Sequence, residues 1–155
     1  MSVNSHEHAL GLKCQIESEI LVWLFSVSLI APLTKLKEPM TAINLQDKLS
    51  QFSDHWSPKI VSKFNGHDVM VVKVKGEFNW HSHDDTDDFF LVLKGKITIK
   101  LRDRNVDLEQ GEMFVVPKGV EHCPVPEEEA ELLLIEPVGT ANTGDASTAA
   151  VKTSL

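Results

Sequence analysis

"FFLVLKGKITIKLRD", residues Phe89 to Asp103, decides the fold. Two runs rich in Phe, Leu, Val and Ile flank Lys94-Gly95-Lys96, a turn with glycine at its centre. β-branched and aromatic side chains in short runs, broken by a glycine turn, read as an antiparallel hairpin. Working outward, the pattern repeats. "KIVSKF" from Lys59, "DVMVVKVKG" from Asp68, "MFVVP" from Met113 and "ELLLIEP" from Glu131 are further short apolar runs. The turn signals "NGHD", "RDRN", "EQGE" and "PKG" separate them. A spacing of about ten residues between strands predicts an all-β sandwich or barrel. No helical period lasts long enough for βαβ units. Within this pattern "MFVVP" reads as a buried strand.

A chain of 155 residues suits one domain. It carries 23 acidic and 15 basic residues, a formal charge of −8. That balance, with no basic stripe, argues against a nucleic-acid partner, whose phosphates need Lys and Arg to neutralise them. Cys14 and Cys123 stand far apart and form no CxxC pair. A reducing, cytoplasmic setting is the expectation.

The ends differ from the middle. "ILVWLFSVSLIAPL", Ile20 to Leu33, is apolar throughout but shorter than the roughly 20 residues of a membrane span. Lys13 is the only basic residue close before it, and Glu7, Glu17 and Glu19 counteract a signal-peptide reading. Three readings of residues 1–39 stay open: a helix packed on the domain, an export or membrane-anchor segment, or sequence outside the natural product. Met40 would then serve as a start. Residues 40–59 are expected to hold a short helix, capped by Thr41 or Asn44, with Leu45, Leu49 and Phe52 on one face. The barrel is expected over 60–137. Residues 138–155, small and polar, are expected to be a flexible tail with little fixed structure.

The chemistry gathers in "FNWHSHDDTDDFF", Phe78 to Phe90. Side chains alternate faces along a strand, so His81 and His83 point the same way and can share a cation. Asp88 follows five residues later, where a hairpin brings its carboxylate back toward them. Downstream, "GEMFVVPKGVEHCPVP", Gly111 to Pro126, delivers His122 as a fourth ligand. An isolated HxH pair is more often surface decoration, and His6 and His8 are read that way. Asp84, Asp85 and Asp87 form a solvated acidic rim. Cys123 points away from His122 as a packed small hydrophobe. Trp80, Phe89, Leu91 and Leu93 lie opposite the ligands, as inter-sheet or dimer packing. Glu121 is a candidate rim acid for acid–base help. Nitrogen and oxygen donors without thiolate suit Fe, Mn, Ni, Zn or Cu in the divalent state. Open coordination positions imply substrate or O₂ binding.

The two segments resemble the paired motifs of the cupin superfamily, G-x5-H-x-H-x(3,4)-E-x6-G and G-x5-P-x-G-x2-H-x3-N. This chain reads Gly76-x4-His81-x-His83-x4-Asp88-x6-Gly95, then Gly111-x5-Pro117-x-Gly119-x2-His122-x3-Pro126. It looks like a small single-domain bacterial cupin. The resemblance implies a double-stranded β-helix, a jelly-roll barrel, with a metal held by His81, His83, Asp88 and His122. It also implies a homodimer and a small-molecule ligand. The departures are a gap one residue shorter after Gly76, Asp88 in place of Glu, and Pro126 in place of Asn. Asp87 fits the shorter form of the first spacing and rivals Asp88; the intact gap to Gly95 favours Asp88. Similar proteins include dioxygenases, isomerases and lyases, so a small metalloenzyme acting on a polar, carboxylate- or hydroxyl-bearing molecule is one expectation. A non-catalytic ligand- or metal-binding module is the other. The chain has no Tyr, which rules out mechanisms that need a tyrosine acid or radical.

Overall fold

Gly95 does turn the predicted hairpin. Its φ of +83° lies in the left-handed region. A Cβ there would sit 3.1 Å from the carbonyl oxygen of Glu129 and 3.2 Å from Ala130. Any other residue would push the neighbouring strand away. The computed structural model describes residues 41–155. The readings of residues 1–39, the apolar run at 20–33, Cys14, His6 and His8 lie outside the described residues.

Among the described residues, nine strands follow one short helix. They are β1 (Lys59–Phe64), β2 (His67–Val74), β3 (Asp88–Lys94), β4 (Lys96–Leu101), β5 (Asn105–Glu109), β6 (Met113–Val116), β7 (His122–Pro126), β8 (Ala130–Pro137) and β9 (Thr153–Ser154). One sheet has the order β6-β3-β8-β2-β1-β9, the other β5-β4-β7. The two inner faces enclose the main core. Met70, Val72 and Val74 of β2, Phe90 and Val92 of β3, Leu132 and Leu134 of β8 supply one side. Ile97, Ile99 and Leu101 of β4 and Leu108 of β5 supply the other. Strict alternation on β3 explains the choice: Asp88, Phe90 and Val92 are buried, and Phe89, Leu91 and Leu93 only half so. Those three side chains lie on the outer face and do not pack between the sheets.

The helix α1 (Leu45–Leu49) begins at Asn44, whose Oδ1 accepts from Gln46 N at 2.9 Å and Asp47 N at 3.3 Å. That bond satisfies amide groups which have no partner inside the helix. Leu45, Leu49 and Phe52 gather on the outside of the larger sheet with Val61, Val71 and Leu93. This is the apolar face that the spacing predicted.

The fold departs from the sequence reading at three points. The segment between "RDRN" and "EQGE" forms β5, although only Leu108 in it is buried. The strand "MFVV" is not buried. β6 lies at a sheet edge, with Met113 53% and Val115 38% exposed. Phe114 and Val116 turn inward, Val116 buried and Phe114 half-buried against the core, because β3 alone covers the strand. Third, the residues after Pro137, expected as a flexible tail, follow a definite path back along the barrel. Thr143 and Asp145 build a turn, β9 pairs in parallel with β1, and the Lys152 ammonium bonds to the Glu136 carboxylate. A buried carboxylate gives a long cationic side chain a reason to dock.

Candidate metal centre

The site stands at one end of the barrel, where β2 starts, β8 ends and β3 starts. Asp68 faces Glu136 across the β2–β8 ladder, and the β3–β8 register sets Phe89 opposite Ile135. One residue further along, Asp88 comes beside Glu136. Three buried carboxylates, Asp68, Glu136 and Asp88, therefore cross the inner face of the larger sheet in a row.

The histidines come from the opposite wall. His81 pairs with His122 in an isolated antiparallel bridge, through His81 N to His122 O at 3.0 Å and the reverse at 2.9 Å. Residues 78–81 so extend the smaller sheet beyond β7. Pro124 and Pro126 share the phase of His122, so their missing N–H groups face this sparse side and spare the ladder to β4. Gly119 N donates to His83 O at 2.8 Å and ties the loop of the second motif to the first.

The result is a tight cluster. One ligand atom from each of His81, His83, Asp88 and His122 lies within 4.8 Å of all the others, and all four residues are buried. His81 Nδ1–H donates to Asn79 O at 2.9 Å, and His122 Nδ1–H to Val120 O at 3.0 Å. These bonds fix the tautomer and leave both Nε2 lone pairs directed at the cluster. His122 Nε2 then lies 3.0 Å from Asp88 Oδ2. Two lone pairs that close require something positive between them, a proton or a metal ion. His83 Nε2 is buried without a hydrogen-bond partner, 3.5 Å from the same carboxylate oxygen. A buried polar atom left unpaired is costly, and a shared cation would satisfy it. The donor set and these unpaired groups fit a divalent metal.

The electrostatics agree. Burial, aided by the other histidines, pushes the His81 imidazole down to about 4, against the pull of the Asn79 carbonyl and Asp88. The ring is neutral at neutral pH, the state in which an imidazole can bind a metal ion. Burial alone would raise Asp88, but its hydrogen bonds with His122 and His83 outweigh that and hold it at about 2. It is ionised throughout the physiological range, the state in which a carboxylate can bind a cation.

The other candidates fall outside the cluster. Asp87, the rival ligand, faces out and accepts Lys118 N at 2.9 Å. Asp84 and Asp85 are exposed beside His83 and form the expected rim. Glu121 is not a rim acid of the site: its carboxylate pairs with Arg102 at 2.9 Å, and Arg102 stacks 3.8 Å over the Trp80 ring. It is the residue before His122, so alternation sends it to the other face. Cys123 is fully buried, its thiol donates to Phe78 O, and burial pushes its pKa up. The residue that sequence reasoning missed is Glu136. The signal was present, since "ELLLIEP" places Glu136 in phase with the inward Leu132 and Leu134. A charged side chain on a core phase marks a site.

A cavity leads to the cluster through His81 and Asp88. Trp56, Phe78, Phe90, Leu132 and Leu134 wall it, and Glu136 and Asn142 add polar groups. Its clear volume is about 30 Å³, within about 390 Å³ of non-atom space that includes open solvent. Among the described residues no helix is long and apolar enough to cross a membrane.

Comparison with known proteins bears on this geometry. The Cupin domain family matches residues 68–136, which span both motifs. A solved cupin-2 domain containing protein from Shewanella frigidimarina is 49% identical, covers 62% of this chain and 94% of its own, and superposes with a TM-score of 0.61. Uncharacterized protein YdbB of Bacillus subtilis is 35% identical over 63 residues, 40% of this chain and 56% of that one. A 3-hydroxyanthranilate 3,4-dioxygenase of Brucella anthropi is 29% identical over 118 residues, 69% of this chain and 65% of the enzyme. The chain thus spans between half and two thirds of these two curated relatives.

Proposed function

This chain belongs to the cupins, and from that premise we propose that it is a metalloenzyme of dioxygenase type. In this reading His81, His83, Asp88 and His122 hold one divalent ion, and a small organic molecule enters by the cavity at His81. The observation that carries it is the convergence of four buried donors, two of them oriented by backbone carbonyls. The dioxygenase assignment is supported by the Brucella relative, whose similarity extends over most of this chain. A bound divalent ion supplies Lewis-acid polarisation of a substrate oxygen and, for iron, access to O₂ chemistry.

The chain's own residues have separable roles. Asn79 and Val120 carbonyls hold the imidazoles in their ligating tautomer. Trp56 and Phe78, stacked with centroids 4.6 Å apart, shield the cavity from water. Glu136 stands on the cavity wall as a proton acceptor, its carboxyl pushed up by burial and by Asp88 against the opposing Lys152.

The test is metal content followed by turnover. Wild-type protein purified without added metal should carry close to one equivalent of a divalent ion. His83→Ala should lose most of it while far-ultraviolet circular dichroism still reports the barrel. Oxygen uptake by the Fe(II)-loaded protein across a panel of phenols and aminophenols then reads activity. Full metal content in the variant would sink the ligand assignment. Ligand binding without uptake would make the protein a binding module instead of an enzyme.

A further inference from the structure

We propose that residues 139–151, beyond the stretch matched to the family at 68–136, form a strap that swings aside to admit a ring-sized, oxygen-bearing ligand and then holds it through the Asn142 amide. Only the ligand's place beside the cluster rests on the metal-centre reading; the need for a moving wall follows from the cavity itself. Its clear volume of about 30 Å³ takes a water-sized molecule, whereas a cavity that accepts benzene measures about 150 Å³. A ring has no place beside the cluster until a wall moves. Most of the walls are tied. Val72, Val74, Asp88, Phe90, Pro124, Leu132, Leu134 and Glu136 lie in β2, β3, β7 and β8. Trp56 donates from its backbone N to Lys73 O at 2.9 Å and from Nε1 to Lys75 O at 2.8 Å. Phe78 N donates to Pro124 O at 3.0 Å, and His81 is bridged to His122. Asn142 is held differently. Among the described residues, the hydrogen bonds of residues 139–151 run within that segment or back to Pro137. The barrel grips the strap at its ends, through Val138 N to Gly66 O, Lys152 to Glu136, and the two-residue pairing of β9 with β1. A segment knitted to itself and latched at its ends can open as a unit at low cost. Asn142 also has the free donor of the cavity. Its Oδ1 accepts from Ala150 N at 2.9 Å, which leaves the NH₂ group to donate. The Trp56 and His81 ring N–H groups are already given to Lys75 O and Asn79 O. A ligand oxygen that accepts a hydrogen bond therefore meets Asn142.

Hydrogen exchange and catechol binding test this on the full chain, with metal content measured on the same samples. The amides of Gly144, Thr148 and Ala150, each bonded within the strap, should exchange together and at least about 100-fold faster than those of β2 and β8. Catechol, followed by the NMR shift of the Trp56 indole N–H, should slow the strap amides at least about fivefold. Asn142→Asp keeps the acceptor for Ala150 N and removes the donor, so it should weaken catechol about three- to tenfold, the worth of one hydrogen bond, while strap exchange stays as in wild type. Strap amides as slow as those of β2 and β8, no catechol binding to metal-loaded protein, or an undiminished affinity in Asn142→Asp would each overturn the inference. Metal-free wild type whose strap opens and whose catechol binding still depends on Asn142 would overturn the metal-centre reading alone.

Discussion

Lys152→Met is the sharpest test of the way the C-terminal segment meets the site. The substitution keeps most of the apolar stem and removes the ammonium. Glu136 is 2% exposed and the Lys152 side chain 11%, so the pair is buried. Removing one partner of such a pair typically costs about 3–5 kcal/mol while the remaining charge stays ionised. Glu136 can escape part of that cost by taking a proton. Burial and Asp88 already raise its folded-state pKa, and Lys152 opposes them; without Lys152 it rises further. A carboxyl with a raised folded-state pKa contributes stability at low pH and loses it as pH climbs through that value, by about 1.4 kcal/mol per unit. The variant should therefore melt close to wild type at pH 5 and fall progressively behind toward pH 8. At about 4 °C per kcal/mol for a domain of this size, the gap at pH 8 should reach about 12–20 °C. Thermal unfolding by circular dichroism, with chelator present in both samples, measures it. A gap independent of pH would assign the loss to packing and refute the charge-pair account. A gap below about 3 °C at both pH values would show that the tail does not dock on Glu136.

Three further outcomes are expected. NMR titration of metal-free protein should keep the His81 ring neutral down to about pH 4, where burial sets its midpoint; a midpoint near 6.5 would contradict its enclosure. Gly144→Ala should lower the melting temperature by several degrees, a cost of about 1–3 kcal/mol. Its Cβ would lie 2.1 Å from the Ser82 carbonyl oxygen at a φ of +73°, so an unchanged melting curve would mean that the turn does not approach Ser82. Glu121→Gln should leave metal content unchanged, because its partner is Arg102 on the outer surface; metal loss there would return Glu121 to the site.

Sequence alone determined what depends on local periodicity. The hairpin at Gly95, the two-residue alternation that sets Asp88, Phe90 and Val92 inward, and the shared face of His81 and His83 are properties of a strand and its turn. A strand repeats its geometry every two residues whatever surrounds it, so those features were legible. The preference for Asp88 over Asp87 came from the intact gap to Gly95, and the structure buries Asp88 and exposes Asp87, since one step along a strand exchanges inside for outside. Tertiary structure decided whatever depends on which strands lie side by side. Only sheet order makes β6 an edge and so exposes Met113 and Val115. Only the meeting of β2, β8 and β3 lines up Asp68, Glu136 and Asp88, three acids as much as 68 positions apart in a chain that names none of its neighbours. The tail shows the same division. Its small polar residues carry no local drive to order, and its course is set by a buried carboxylate whose need for a cation exists once the barrel has excluded water from it.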